Sequence, residues 1–140
     1  MPTLEELEGE VWGEPEFESH LVLTCHALRK KELDRFTTED LRIMVGQTIS
    51  MPILLPRAIV VLERDPLAEG HFFPGDLLSA LLRPGNWPSL VALSAPIKTI
   101  CERALAMLEL RSAQSLPDGR FVGADLASQL RAEIGAYLDA

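Results

Sequence analysis

Three histidines, two cysteines and a loose set of carboxylates are the residues of this 140-residue chain with the means to do chemistry. His20, His26 and His71 contain no pair at the i, i+4 spacing with a following carboxylate that a helical metal site uses. Cys25 beside His26 invites a nucleophile–base reading, but neighbouring residues on a helix point about 100° apart and cannot easily meet. Glu63, Asp65, Glu69 and Asp76 can be pictured as ligands for a divalent cation. Unpatterned acids of that kind are ordinarily a solvated face or helix caps. Gly70 and Gly75 flank His-Phe-Phe-Pro, whose bulk opposes the close backbone approach of a phosphate loop. The residues therefore predict no catalytic set, no metal site, no cofactor and no small-molecule substrate.

The elements that must position these groups are organised around residues 37–82. Thr37 and Thr38 are both N-cap residues, and Asp40 stands three after Thr37, as a capping box requires. Leu41, Met44, Val45 and Thr48 then share a helical face. Ser50 offers a second start, and the run from Ile53 to Leu62 is apolar enough to be buried on most sides. Pro56 must begin that helix or bend it. Asp65-Pro66 ends it, because the residue before proline is pushed out of the α region. PLAEGHFFPGD is a compact connection, Asp76 is placed to cap the next helix, and Leu77, Leu78, Leu81 and Leu82 need a partner surface.

Around this centre the pattern predicts an all-α chain, one compact domain over 1–140 with about six or seven short to medium helices. An acidic N-terminal segment (1–18) precedes a helical body (19–140). Hydrophobic residues reach 47% and aromatics only 6%, and no stretch alternates β-branched with polar residues for long. Thr3 caps a short first helix with Glu6 at the capping-box position. Trp12 and Phe17 are expected to pin the segment after it. Ser19 opens a helix to about Lys31 with Leu21, Cys25 and Leu28 inward, and its last-turn cations Arg29, Lys30 and Lys31 suit the helix dipole. RPGNWPS reads as a loop. A helix from near Ser94 to about Ser112 faces inward through Ile97, Ile100, Cys101, Ala104, Leu105 and Leu108. Leu116–Gly119 is a turn, and a last helix over 123–138 carries Leu126, Leu130, Ile134 and Leu138. Cys25 and Cys101 read as buried free thiols of a reducing cytoplasm. No apolar run reaches the roughly 18 residues of a membrane span.

Charge is concentrated. The formal net charge is −8, and residues 1–28 hold seven glutamates with no lysine or arginine, so nearly all of it lies there. Phosphate-binding surfaces need the opposite sign, which argues against direct nucleic-acid binding. An acidic segment suits a basic partner, which it can steer into contact. A solubilising surface is the plainer reading. The two helices expected over 38–65 look like a helix-turn-helix, but the second opens with SMPILLPRAIVVL, where Arg57 is the lone cation. A recognition helix needs polar and basic residues at that end.

The run TTEDLRIMVGQTISMPILLPRAIVVLERDPLAEGHFFPGDLLSALL, with TLEELEGEVWGEPEFESHLVLTCHALRKKEL before it, resembles the contact-dependent growth inhibition (CDI) immunity proteins of Gram-negative bacteria. The likeness covers roughly residues 3–83; its most specific pieces are TLEELE followed by a tryptophan, EDLRIMVGQ, and PLAEG…FPGDLL. It implies a non-enzymatic cytoplasmic antitoxin that binds the C-terminal toxin domain of a large surface protein and blocks or distorts its active site. Many such toxins are nucleases with basic substrate grooves. The toxin-facing residues expected on this reading are Trp12, Glu14, Glu16, Glu18, Glu69, His71 and Asp76. A regulatory protein using the helix-turn-helix look-alike and a small helical adaptor are the rival readings.

Overall fold

The computed structural model describes residues 2–14, 19–109 and 119–140. Eight α-helices run through them: α1 (Leu4–Glu8), α2 (His20–Arg29), α3 (Thr38–Gly46), α4 (Met51–Arg64), α5 (Asp76–Leu81), α6 (Trp87–Leu90), α7 (Ser94–Glu109) and α8 (Ala124–Leu138). The all-α expectation holds.

Local rules place the helix starts. Thr37 and Asp40 form the full capping box at the head of α3, the Thr37 hydroxyl accepting the Asp40 N–H at 3.1 Å and the Asp40 carboxylate accepting the Thr37 N–H at 3.0 Å. Thr3 caps α1, but Glu6 accepts the Thr3 hydroxyl (3.2 Å). Ser19 caps α2 through the Val22 N–H. Asp65 is extended and ends α4 ahead of Pro66.

One contiguous core joins the helices. α3 packs on α4 and α5, α7 packs on α4 and α8, and α2 lies against α3. Leu77, Leu78, Leu81 and Leu82 are all buried, as are Ile97, Ile100, Cys101, Ala104 and Leu108 of α7. Asn86, fully buried, ties two helix ends together. Its Nδ2 donates to the carbonyls of Val45, Ala80 and Leu81, and its Oδ1 accepts the Thr48 hydroxyl at 2.7 Å. These carbonyls belong to last turns that lack intrahelical donors.

Several expectations are corrected. Thr48 is not on the α3 face: the helix stops at Gly46, and Thr48 and Ser50 take left-handed backbone (φ 57° and 54°) in the link to α4. α4 is not buried on most sides; Val60 is exposed while Leu54, Leu55, Ala58, Ile59 and Leu62 form its inner stripe. Pro56 lies inside α4, not at its start. Leu21 faces outward from α2, leaving Cys25 and Leu28 inward. The stretch read as a loop after Leu82 is helical, a 3-10 turn over Pro84–Asn86 leading into α6, because Pro84 and Pro88 sit in first turns where the missing N–H costs nothing. Asp76 does not cap α5: Gly75 holds the N-cap position with φ 90°, and the Asp76 carboxylate turns back into the preceding loop. The Phe17 contact, the end of α7 beyond Glu109 and residues 116–118 of the expected turn lie outside the described residues.

Candidate partner-binding surface

Of the expected site residues, Trp12, His71 and Asp76 belong to two ionic clusters, each built on a side chain whose role has no periodic signal. The first holds the N-terminal segment. Arg29, at the end of α2, is 2% exposed. Its Nη1 donates to the Glu8 carboxylate and, at 3.4 Å, to the Ser50 hydroxyl; its Nη2 donates to the Glu10 carbonyl at 2.6 Å. The guanidinium lies 4.5 Å from the centroid of the Trp12 ring, which meets the His26 ring in an edge-to-face contact with centroids 4.9 Å apart. Ser50 closes the cluster by donating to Glu8 at 3.1 Å. Trp12 is therefore half-buried against α2, and Glu14, two residues on, is exposed. Glu16 and Glu18 lie outside the described residues.

The second cluster fixes the loop 66–75 between α4 and α5. Asp76, 2% exposed, accepts the N–H groups of Gly70 (2.6 Å, through Oδ1) and of Phe72 and Phe73 (3.0 and 3.4 Å, through Oδ2). Glu39, also buried, accepts the His71 N–H at 2.9 Å and holds Arg42 in a fork, Nε and Nη2 each at 2.6 Å. Such bidentate charge-assisted bonds are the strong ones. A Cβ at Gly70 would stand 2.5 Å from Glu39 Oε1, so only glycine lets the loop lie this close. The side chain of Asp76 is thus committed to the loop, whereas Glu69 and His71 remain exposed. His71 Nδ1 is 3.7 Å from Glu39 Oε2.

The Arg42 hydrogen bond holds the Glu39 carboxyl below its ordinary range, against the opposing effect of burial. A carboxyl with a depressed folded pKa stabilises the fold above its unfolded value, about 4.3, and that contribution is lost as pH falls through the folded value. Glu39→Gln should therefore be less stable than the parent at pH 7 and flatten the fall of its urea midpoint as pH drops below about 4. Parallel midpoint-against-pH curves for the two proteins would contradict this.

The thiols do not form a reactive centre. Both cysteines are buried and unbridged. Burial raises the Cys25 pKa, and burial with the charge of Glu102 pushes Cys101 up to about 12, so the nucleophilic thiolate is disfavoured at each. His26 faces Trp12. Of the imagined carboxylate set, Asp65 is paired with Arg120, whose Nη1 stands 2.9 Å from Asp65 Oδ2, and Asp76 with the loop. Among the described residues no group of three or more His, Cys, Asp or Glu is placed to hold a metal ion, and no helix is long and apolar enough to cross a membrane. The helix-turn-helix look-alike is α3 and α4, and the start of α4 buries Met51, Leu54 and Leu55 in the core.

Sequence reasoning assigned no site role to Arg29, Glu39, Arg42 or the 68%-exposed Phe72. The signals available were an arginine within a short acidic stretch's reach, and Glu39 and Arg42 at i, i+3 on α3.

No curated protein and no solved structure gives a significant match to the chain. A family model described as CDI immunity proteins matches residues 6–100. That span takes in both clusters and about two-thirds of the chain, so the chain belongs to the family of CDI immunity proteins.

Proposed function

We propose that the protein binds the C-terminal toxin domain of a cognate contact-dependent growth inhibition surface protein and neutralises it by covering its active site, with no catalytic activity of its own. The observation that carries this reading is the family match over residues 6–100. The seven glutamates preceding the first cation, with Arg29 and Trp12 fastening their middle to the body, support a toxin with a basic surface, as a nuclease groove is. Carboxylates there stand in for the phosphates of the substrate. Trp12 anchors the segment, Glu14, Glu16 and Glu18 steer, and Glu69 and His71 extend the contact; Asp76 acts by shaping their loop.

Co-expression tests the reading directly: the protein should co-purify with the toxin domain encoded beside it and restore growth to cells making that toxin. Changing Glu14, Glu16 and Glu18 together to Lys should slow association by about tenfold at low salt and flatten the salt dependence of the on-rate. An on-rate equal to the parent's at low salt would remove the steering role, and failure of rescue would remove the immunity function.

A further inference from the structure

Phe72 stands at a loop tip, where small and polar residues are the rule. The residue is 68% exposed, yet little about it is left to move. The N–H groups of residues 70 to 73 are all held, three by Asp76 and that of His71 by Glu39. The Arg42 guanidinium lies 4.4 Å from the ring centroid and is itself forked onto Glu39. An aromatic group fixed in advance loses little conformational freedom on binding, which is the economy of a preorganised contact.

Beside the ring is a groove of about 380 Å³ between α2, α3 and α5, with Leu21, Ile43 and Phe73 among its apolar walls. Leu21 is exposed on α2. Phe72 lies in the same loop as the exposed Glu69 and His71, so the groove continues the surface proposed for the toxin. The charged side chains that line it are all engaged within the fold, Arg42 by Glu39, Arg83 by the Gly46 carbonyl, Asp76 by the loop amides and Glu133 by the Ser79 hydroxyl at 2.8 Å, which leaves the apolar walls as the part open to a partner.

We propose that Phe72 and this groove form a second, anchoring contact for the same toxin domain, receiving an apolar segment of it. The inference rests on the immunity reading and adds a division of labour. The acidic segment governs how fast the partners meet, and the Phe72 groove governs how long they stay. Truncation of a central aromatic anchor acts mainly on dissociation.

Binding kinetics against the toxin domain encoded beside the protein test this. Phe72→Ala should weaken the complex by about thirtyfold or more, through faster dissociation with an on-rate close to the parent's. Leu21→Ala should fall in the same direction. Val91→Ala removes an equally exposed apolar side chain from a different groove, beside Trp87 and Tyr137, and should change affinity by less than about twofold. The thermal midpoint of Phe72→Ala should match the parent's, which separates a lost contact from a lost fold. Tight binding by the parent with no loss at Phe72→Ala, or an equal loss at Val91→Ala, overturns the groove and leaves the immunity function standing. Absence of binding by the parent overturns both.

Discussion

Glu8→Ala lowers stability by about 3 kcal/mol, and Arg29→Met lowers it by less, about 1–2 kcal/mol, although Arg29 is the larger and more buried residue. The order follows from which partner is left behind. Without Glu8 a guanidinium is left in a site that is 2% exposed in the parent, with its carboxylate partner gone. Its remaining partners are the Glu10 carbonyl, the Ser50 hydroxyl and the face of Trp12, and its Nε already lacks an acceptor among the described residues. Removing one member of a buried pair costs most when the survivor cannot reach water. Without Arg29, Glu8 is 25% exposed at its side chain, can hydrate, and keeps the Ser50 hydroxyl. Methionine also replaces much of the apolar stem. Urea midpoints at unchanged m-value measure both variants. A larger loss for Arg29→Met would mean that water reaches the guanidinium once Glu8 is gone.

The same cluster shows what a sequence can and cannot disclose. Thr37 and Asp40 were readable as a capping box because both halves of the device lie within one helical turn. The leucines of α5 and the inner face of α7 were readable because 3.6-residue spacing is itself a statement about burial. Arg29 sits in a last turn, where a cation is ordinarily a surface group favoured by the helix dipole. That it is buried depends on Glu8 and Glu10, some twenty residues earlier, and on Ser50, as far beyond. Glu39 meets His71 across 32 positions, and Asn86 meets Val45 across 41. Pairings at such separations leave no period in one chain. Pro84 and Pro88 misled in the opposite way: proline breaks a helix in its interior but begins one well, and only the observed boundaries decide which applies.

For the candidate site the consequence is a change in what the expected residues do. Glu69 and His71 keep the exposure that a contact needs, and Asp76 does not. On the proposed reading the loop 66–75 stays part of the toxin-facing surface. Its exposed group of largest apolar area is Phe72, and the acid assigned to contact is the one that shapes the loop.

Asp76→Asn tests that reassignment, and we expect it to cost about 3 kcal/mol, nearly as much as Asp76→Ala. An amide is close in shape to a carboxylate, so volume is not at issue. Both carboxylate oxygens accept, Oδ1 from Gly70 and Oδ2 from Phe72 and Phe73, and the carboxylate is 2% exposed. Asparagine has one acceptor oxygen and one NH2 group. Whichever way the amide is turned, an N–H of the side chain faces an N–H of the backbone, and a buried donor goes unsatisfied. The charge also faces Arg42, whose Nε is 4.0 Å from Oδ2. Amide hydrogen exchange should quicken at Gly70, Phe72 and Phe73 before it quickens in α3, because the defect is local to the loop. Once those amides are released, Phe72 loses its fixed presentation, so Asp76→Asn should also weaken toxin binding without Asp76 touching the toxin. Near-parental stability and exchange in Asp76→Asn would show that the loop is held by its packing against Glu39 and Arg42, and that Asp76 is available for another role.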